Sequence, residues 1–464
     1  MITRFIRVCM VSALLGTAVM PGQGEEIASQ TSPGTATPLS RNWTLQDCID
    51  YALANNIQLR QNLLQVEQSD VNLLGYKAQL FPSLNFSTNH NLSWRPWSES
   101  YVDIQDGTMS MTQSTVNYNG TYGVAANWTV WDGGRNRKNI ELGRLNREQA
   151  ELEAATTAKS IQEQIAQLYV QILYQTEAVK VNRMIAESSV VQVERAGQMF
   201  EVGNMSRAEL AQVEAQLSQD MYNVTAAGTQ LEQYKLQLKQ LLELVQVEEF
   251  DVAIPEISDD SVLGLLPAKD DVYMAAAGQR PEILAMEAGI SVADLNIDIA
   301  RRGYYPTLGV SAGVNTSTAS GMKKGFDDQL KSNLSTSVGV SISVPIFDNR
   351  RNKTNVETAR IDRENADLRL EAARRDLYST IEGFWLNARN AQQQYLAAKA
   401  NVAAMNESYS LVDEQFAVGL KDVVDLITAK NNLVQAEQQM LQSKYTALLN
   451  LAMLRFYAGD NLSL

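Results

Sequence analysis

The spacing of apolar residues predicts long helices separated by shorter segments with a different period. From Asn136 to about Phe200 the chain has no proline and few glycines. Its apolar residues recur there in alternating steps of four and three, as at Ile161, Ile165 and Leu168. One helix over this stretch would run about 98 Å. The sequence therefore predicts an elongated molecule.

Two later segments carry a heptad pattern. After Gly203, apolar residues occupy every seventh position: Leu210, Leu217, Val224, Leu231, Leu238 and Val245. The same spacing returns near the C-terminus, at Leu426, Leu433, Met440, Ala447 and Leu454. A heptad seam packs helices side by side, so both segments are predicted to form coiled coils.

Four segments instead have the period of two that is typical of β-strands, at about 83–94, 115–131, 307–316 and 334–347. Alternate positions are apolar or aromatic, and the positions between them hold small uncharged side chains. Such strands form either soluble hairpins with one face on a core or lipid-facing strands of a membrane barrel. The aromatic strand ends and the export signal described next favour the barrel. The hairpin tips, 95–113 and 319–331, are predicted to be polar loops.

The N-terminal segment and the composition indicate an exported protein. Residues 1–24 are typical of a secretory signal peptide, because Arg4 and Arg7 precede a short apolar stretch. Residues 25–41 are predicted to form a flexible leader. Only Cys48 would remain in the mature chain, which excludes an intramolecular disulfide. No later stretch is long and apolar enough for a transmembrane helix, and the net charge of −14 argues against nucleic acid as a partner.

Three short motifs occur twice in the same order. Phe-Pro-Ser-Leu, Trp-Asp-Gly-Gly-Arg and Phe-Glu-Val-Gly begin at 81, 131 and 200. Tyr-Pro-Thr-Leu, Phe-Asp-Asn-Arg-Arg and Phe-Ala-Val-Gly begin at 305, 347 and 416. A long internal repeat predicts two similar structural halves. The predicted bounds are 42–245 for the first half, 246–270 for a connector, 271–458 for the second half and 459–464 for a C-terminal tail.

Four strands are too few to close a barrel, since about eight is the usual minimum. An open sheet edge in lipid would leave backbone groups unpaired. The strands are therefore predicted to join those of other copies, with two copies giving eight strands and three giving twelve. The small polar face favours a water-filled interior and hence the larger number. Because each strand continues into a long helix, the helices should prolong the barrel as a tube.

These features together resemble the TolC-like outer membrane efflux proteins over about residues 42–460. The resemblance rests on the repeated order helix-strand-strand-helix and on the repeated motifs within it. It implies a fold of long helices plus a membrane β-barrel, built as a homotrimer with twelve strands in the Gram-negative outer membrane and a helical tunnel in the periplasm. The implied partners are a periplasmic adaptor protein, an inner-membrane transporter of the RND or ABC type, and outer membrane lipid.

The two Val-Gly turns are the first candidate site. Glycine at a helix C-terminus allows the chain to reverse, and this structural role is sufficient in itself. The resemblance adds that the turns form the periplasmic tip and dock the adaptor. The docking candidates are Gly203, Asn204, Met205, Gly419, Leu420 and Lys421.

Asp425 is the main candidate for a gating residue, because the resembling family carries an acidic aperture residue at the matching place. Three carboxylates around a constriction would attract cations. Thr428 stands where the family has a second acidic residue, so the ring should carry half the charge. Glu209 is the matching first-half position. Phe416 and Lys421 match family positions whose contacts help to keep the tip closed, although Glu209 and Lys421 also fit an ordinary solvated helix face.

Aromatic residues at the strand ends are predicted to lie at the membrane interface. They are Trp128, Trp131, Phe347, Tyr304 and Tyr305, some of which could equally pack against neighbouring strands. Asp132 and Asp348 precede the long helices and are expected to be their N-caps.

The sequence predicts neither an enzyme nor a cofactor site. The single histidine, His90, has no cysteine or acidic cluster near it, and no phosphate loop, metal-ligand spacing or nucleophile motif is present. The leading prediction is a passive exit duct, gated at its periplasmic tip, of a tripartite efflux or type I secretion system. The alternatives are a trimeric structural stalk with a barrel anchor and a soluble periplasmic coiled-coil scaffold.

Overall fold

The computed structural model describes residues 42–94, 96, 101–105, 108–112, 116–244, 250–322 and 324–463. The predicted signal peptide at 1–24 and leader at 25–41 lie outside these residues, as does Val245 of the first heptad series. Among the described residues, no helix combines the length and the hydropathy that a membrane span requires.

The elements follow one another in two similar series. The first comprises β1 (Asn42–Trp43), α1 (Leu45–Asn55), α2 (Ile57–Ala78), β2 (Ser83–Trp94), β3 (Tyr101–Gln105), β4 (Thr108–Thr112), β5 (Val116–Trp131), α3 (Arg135–Glu201) and α4 (Arg207–Leu241). The connector holds β6 (Asp251–Val252) and α5 (Asp259–Val262). The second series comprises α6 (Lys269–Gln279), α7 (Pro281–Arg301), β7 (Thr307–Ala319), α8 (Phe326–Ser332), β8 (Ser335–Ser343), α9 (Arg351–Ala417) and α10 (Val423–Ala458).

The long helices form two antiparallel pairs. Helices α3 and α9 each have 67 residues, which corresponds to about 100 Å. Each reverses at a short turn into its partner, α4 or α10. Alternating three- and four-residue spacing places the buried residues of α4 along one stripe, which includes Leu210, Val213, Ala227 and Leu238.

Strands β2, β5, β7 and β8 form one antiparallel sheet in that spatial order. Its register places apolar residues opposite one another, as in Phe86 with Val124 and Val310 with Val340. Since side chains alternate between the two faces, one face is apolar and the other carries small polar residues. Strand β8 ends at Ser343 rather than at the predicted 347, because Pro345 lacks the N–H that a further ladder bond would need.

A β-bulge at the end of β5 alters the alternation. Thr129 pairs with Gly309 and Trp131 pairs with Leu308, so Val130 is the extra residue. The bulge moves Trp131 to the apolar face, where Leu308 also lies. Strict alternation from the sequence would have placed this tryptophan on the polar face.

Both hairpin tips differ from the polar loops that the sequence predicted. The described part of the first holds the antiparallel strands β3 and β4, and the second contains the short helix α8. Gln329 of this helix is buried against β7. Its Oε1 accepts a hydrogen bond of 2.7 Å from the Ala319 amide, and its Nε2 donates one of 2.8 Å to the Lys324 carbonyl. These bonds close the free end of the β7–β8 hairpin.

The main hydrophobic core lies where the connector crosses the long helices. Strands β1 and β6 pair in parallel, and the Tyr169 hydroxyl of α3 donates a hydrogen bond of 2.6 Å to the Ala253 carbonyl beside them. Cys48 is fully buried in this core. Burial raises the pKa of its thiol to about 12, so the thiol stays protonated and acts as a small packing group.

The junctions between strands and long helices are capped differently from the prediction. The N-cap positions of α3 and α9 fall at Gly134 and Arg350, two residues after the predicted caps Asp132 and Asp348. Each aspartate instead accepts a hydrogen bond of 2.9 Å from the backbone amide four residues further on. The carboxylates therefore still pair first-turn amides, but from outside the cap position.

Candidate functional site: the helical tip

The first helical pair reverses at a turn with Schellman geometry. Gly203 has φ of +79°, in the left-handed region. Its amide donates a hydrogen bond of 3.0 Å to the Phe200 carbonyl, and the Asn204 amide donates one of 2.8 Å to Met199. These bonds satisfy two of the carbonyls that a helix end leaves without intrahelical partners.

The second helical pair uses the same geometry. Gly419 has φ of +76°. Its amide bonds to the Phe416 carbonyl at 3.0 Å, and the Leu420 amide bonds to Gln415 at 2.9 Å. The left-handed conformation that the sequence predicted at both glycines is therefore present, and the two turns have equivalent backbones.

A small hydrophobic cluster, which we call the tip core, joins the ends of the two helical pairs. Phe416 is 2% exposed, and Met205 from the other turn is 9% exposed. The remaining buried members are Ala196, Leu210, Val213, Val423 and Leu426. Met205 was a docking candidate on the basis of its sequence position. Its burial removes its side chain from the surface on which a partner could dock.

The surface of the tip is apolar at its centre. Val202, Val418 and Leu420 are each at least 70% exposed, and Asn204 and Lys421 beside them are also exposed. Leu420 was predicted to lie here, whereas Val202 and Val418 were treated only as parts of the turns. The sequence did contain a signal for these two residues, because a valine directly precedes each turn glycine.

The aperture candidates lie beside the second turn. Asp425 Oδ2 accepts an ion-pair contact from Lys421 Nζ at 2.9 Å, with both side chains more than 40% exposed. Asp422 is the N-cap of α10, and its Oδ1 accepts a hydrogen bond of 2.8 Å from the Asp425 amide. Thr428 is exposed one turn further along. The charge at Asp425 is therefore partly balanced within its own chain.

Glu209 is engaged in its own helix. Its Oε2 accepts a hydrogen bond of 2.7 Å from the Ser206 amide, while its own amide donates to Ser206 Oγ at 3.2 Å. This reciprocal pair is a capping box at the start of α4. The bond from the Ser206 backbone lowers the pKa of the Glu209 carboxyl. The geometry gives Glu209 a capping role, and among the polar contacts described none joins it to the second helical pair.

The sequence did not predict a layer of polar contacts between the two helical pairs, behind the tip core. Tyr409 of α9 accepts a hydrogen bond of 2.6 Å from Gln192 of α3. Arg195 and Asp413 form an ion pair of 3.3 Å between the same helices. Burial raises the pKa of Tyr409, so its hydroxyl stays protonated and can take part in both directions of hydrogen bonding.

The predicted interface aromatics gather at the end of the sheet from which the long helices leave. Trp128 Nε1 donates a hydrogen bond of 2.8 Å to the Leu80 carbonyl. Trp131 meets Tyr305 edge to face at 6.4 Å between ring centroids. Tyr304 and Phe347 are exposed nearby in the chain. Exposed aromatic rings with one bonded polar group suit a boundary between lipid and water.

An antiparallel sheet with one apolar face, joined at one end to two antiparallel pairs of long helices, is the architecture expected of an outer membrane channel protein. The chain belongs to the family described as outer membrane efflux protein, whose model matches residues 48–243 and 272–460. This match confirms the resemblance found in the sequence and the predicted outer membrane location.

Relatives and solved structures agree with this assignment. The chain is 22% identical over 421 residues to outer membrane efflux protein BepC of Brucella suis biovar 1, covering 87% of this chain and 82% of that protein. It is 22% identical over 436 residues to alkaline protease secretion protein AprF of Pseudomonas aeruginosa, covering 89% and 84%. A crystal structure of CusC superposes with a TM-score of 0.75 at 18% identity, covering 90% of this chain and 92% of that one. This likeness establishes the fold.

Proposed function

We propose that three copies of this chain form a passive exit duct, with a twelve-stranded barrel in the outer membrane and a tunnel of helices in the periplasm. The observation that carries the proposal is the four-stranded sheet. Within the described part of the chain, β2 and β8 each pair on one side only, and the apolar face is uncovered. In lipid, every unpaired backbone group would cost several kcal/mol, so the edges need neighbouring strands.

The side chains of the sheet support three copies rather than two. The polar face carries glycine and serine at many positions, including Gly309, Ser311, Gly313 and Ser337. An eight-stranded barrel is only just wide enough for side chains to fill its interior. Small residues would leave such an interior incompletely packed, whereas a twelve-stranded barrel turns them towards a water-filled lumen.

The height of the apolar band supports membrane insertion. On β5 the apolar face carries the aromatic residues Tyr118 and Trp128 ten positions apart, with Val116 and Trp131 beyond them. Ten residues rise about 34 Å along a strand, which is about 26 Å across the membrane at a tilt of about 40°. The apolar band of outer membrane barrels is about 25 Å tall.

The tip supports a partner site and an aperture. We infer that a periplasmic adaptor docks on the exposed turn residues, namely Val202, Gly203, Asn204, Val418, Gly419, Leu420 and Lys421. Asp425 would contribute one carboxylate per copy to a ring at the narrow end of the duct. The names of the relatives include both efflux and protease secretion, which fits an inner-membrane transporter of either the RND or the ABC type.

Mass and conduction together test the duct. The chain is expressed with its own predicted signal peptide in a Gram-negative host and extracted from membranes in detergent. Light scattering then measures the mass of the protein. We expect a protein mass three times that of the mature chain and stable conductance in planar bilayers. A two-fold mass would contradict the twelve-stranded barrel. Recovery in the soluble fraction would contradict the duct and favour a periplasmic scaffold.

Photo-crosslinking tests the docking surface. A photoreactive amino acid at Leu420 should crosslink the periplasmic adaptor in cells, because this side chain is 76% exposed at the tip. Leu396 is the matched control, since it is exposed on α9 but far from the turn. Equal adaptor crosslinking at both positions would contradict docking at the tip.

A further inference from the structure

A buried ion pair lies between the two helical pairs, behind the tip core. Lys430 of α10 is 3% exposed and Asp220 of α4 is 4% exposed. Lys430 Nζ donates to Asp220 Oδ2 and to the hydroxyl of Ser189 on α3. Ser189 Oγ also lies 2.5 Å from Asp220 Oδ2, and Gln216 Nε2 donates a hydrogen bond of 2.9 Å to Oδ1. Three helices therefore meet at one polar cluster.

Asp220 occupies a position that the coiled-coil pattern reserves for apolar residues, and Lys430 is buried in the same seam. Asp220 lies one heptad after Val213, and Lys430 lies one turn after Leu426. Burying two charges is costly, and an apolar pair of similar volume often packs as well or better. A buried polar residue in a seam is best attested as a device that fixes register and position.

The exposed aperture candidates do not connect the two helical pairs. Lys421 pairs with Asp425 four residues away, and Glu209 caps its own helix. Lys430 instead reaches from the second helical pair to both helices of the first. It lies seven residues after the start of α10 at Val423, which is about 10 Å from that end of the helix. Because the contact is so close to this end, it limits how far the start of α10 can move away from α3 and α4.

We propose that Lys430, Asp220 and Ser189 form a latch that holds α10 against α3 and α4 and so keeps the tip packed. Lys430 and Asp220 are positioning residues, and neither lines the proposed aperture. Breaking the latch would leave one charge buried without its partner. Water would then enter the seam, and the end of α10 would separate from the first helical pair. The effect on conduction rests on the proposed duct, whereas the effect on packing does not.

The test measures the distance between the two turns. Spin labels at the exposed residues Asn204 and Leu420 are measured by double electron–electron resonance, with labelled chains diluted by unlabelled ones so that only distances within a chain count. We expect one narrow distance in the unaltered protein. Lys430→Met and Asp220→Asn should each add a longer-distance population and raise conductance in planar bilayers.

Lys444→Met is the matched control. Lys444 also joins α10 to α3, through Glu177 at 3.5 Å, but this pair is more exposed and lies two heptads from Lys430. The Lys444→Met variant should have an altered thermal stability but an unchanged distance between the two turns. Asp220→Asn preserves the shape of the side chain and serves if Lys430→Met does not fold.

Two results are decisive against the latch. An unchanged distance distribution in folded Asp220→Asn would reduce the cluster to a packing feature. An equal shift in Lys444→Met would show that any contact between the halves has the same effect. An unaltered protein that does not conduct would instead refute the duct, and the distance measurement would still decide the latch.

Discussion

At each junction between a strand and a long helix, two successive residues have a left-handed backbone. They are Gly133 and Gly134 in the first half, with φ of 73° and 85°, and Asn349 and Arg350 in the second, with 52° and 64°. This conformation costs an L-residue about 1–2 kcal/mol, which glycine avoids and asparagine tolerates. The repeated Asp-containing motif thus marks a backbone shape that both halves need, and Arg350 adopts it without the help of glycine.

Alanine at the two neighbouring glycines should separate backbone strain from crowding. Gly134→Ala should cost about 1 kcal/mol, because a new Cβ would meet nothing within 4 Å. Gly133→Ala should cost about 3 kcal/mol, since its Cβ would fall 2.6 Å from Tyr305 Cβ. Thermal unfolding in detergent measures which of the two variants loses more stability. Equal losses would mean that the Tyr305 contact is not rigid.

The Lys421–Asp425 pair predicts opposite effects on selectivity. In the proposed trimer, Asp425→Asn should lower the cation preference, because it removes three carboxylates from the aperture. Lys421→Gln should raise it, because it frees the same carboxylates from their 2.9 Å contact. Reversal potentials under a salt gradient in planar bilayers measure both. Glu201→Gln removes a carboxylate from the other turn and serves as the control. An unchanged potential in Asp425→Asn would place Asp425 outside the lumen.

Among the helices, the tip core decides how firmly the turns are held. Phe416→Ala should destabilise the tip by about 3–5 kcal/mol, because the ring is almost fully buried. Val418→Ala, two residues away and 70% exposed, should change stability by less than about 0.5 kcal/mol. Hydrogen exchange of peptides from the two turns is the measurement. Faster exchange in both variants, or in neither, would argue against Phe416 as the anchor of the tip.

The two equivalent turns also show what the spacing of residues along the chain can and cannot predict. The glycine spacing predicted two helical reversals, and both have the expected left-handed geometry. The same spacing made Met205 and Leu420 look alike, since each follows shortly after a turn glycine. Met205 is buried and Leu420 is 76% exposed. Met205 directly precedes the N-cap Ser206 and packs with Leu210, as in a hydrophobic staple. Leu420 instead lies two residues before its N-cap, Asp422.

For the assembled molecule, two adjacent residues of β8 test the orientation of the sheet. Val338 lies on the apolar face and Ser337 on the polar face, and both are exposed in a single chain. Val338→Lys should cost about 2–4 kcal/mol at the membrane midplane and abolish insertion. Ser337→Lys should insert normally and lower cation conductance. Membrane fractionation measures the insertion of both variants, and bilayer recordings measure the conductance of the one that inserts. Normal insertion of Val338→Lys would contradict a lipid-facing apolar surface.

The sequence by itself determined what local periodicity can specify. Period-two alternation identified the strands and their apolar face, because the β-pleat turns every second side chain the same way. Heptad spacing identified the coiled coils, and paired motifs identified the equivalent turns and junctions. Family membership then followed from the order of these elements, which the match over 48–243 and 272–460 confirms.

Only the tertiary structure decided features that depend on residues far apart in the chain. The bulge at Val130 reverses the face of Trp131, and it arises in the pairing of β5 with β7, beyond the last residue of β5 that pairs with β2. Asp220 interrupts an apolar heptad series between Val213 and Ala227, and this interruption was the visible signal. Lys430 gave none, since Glu437 and Lys444 follow it at heptad spacing. The pairing of Asp220 with Lys430 across 210 positions is set by the packing of α10 between the halves. Local sequence fixes periods and turns, while the contacts between helices fix which polar residues become partners.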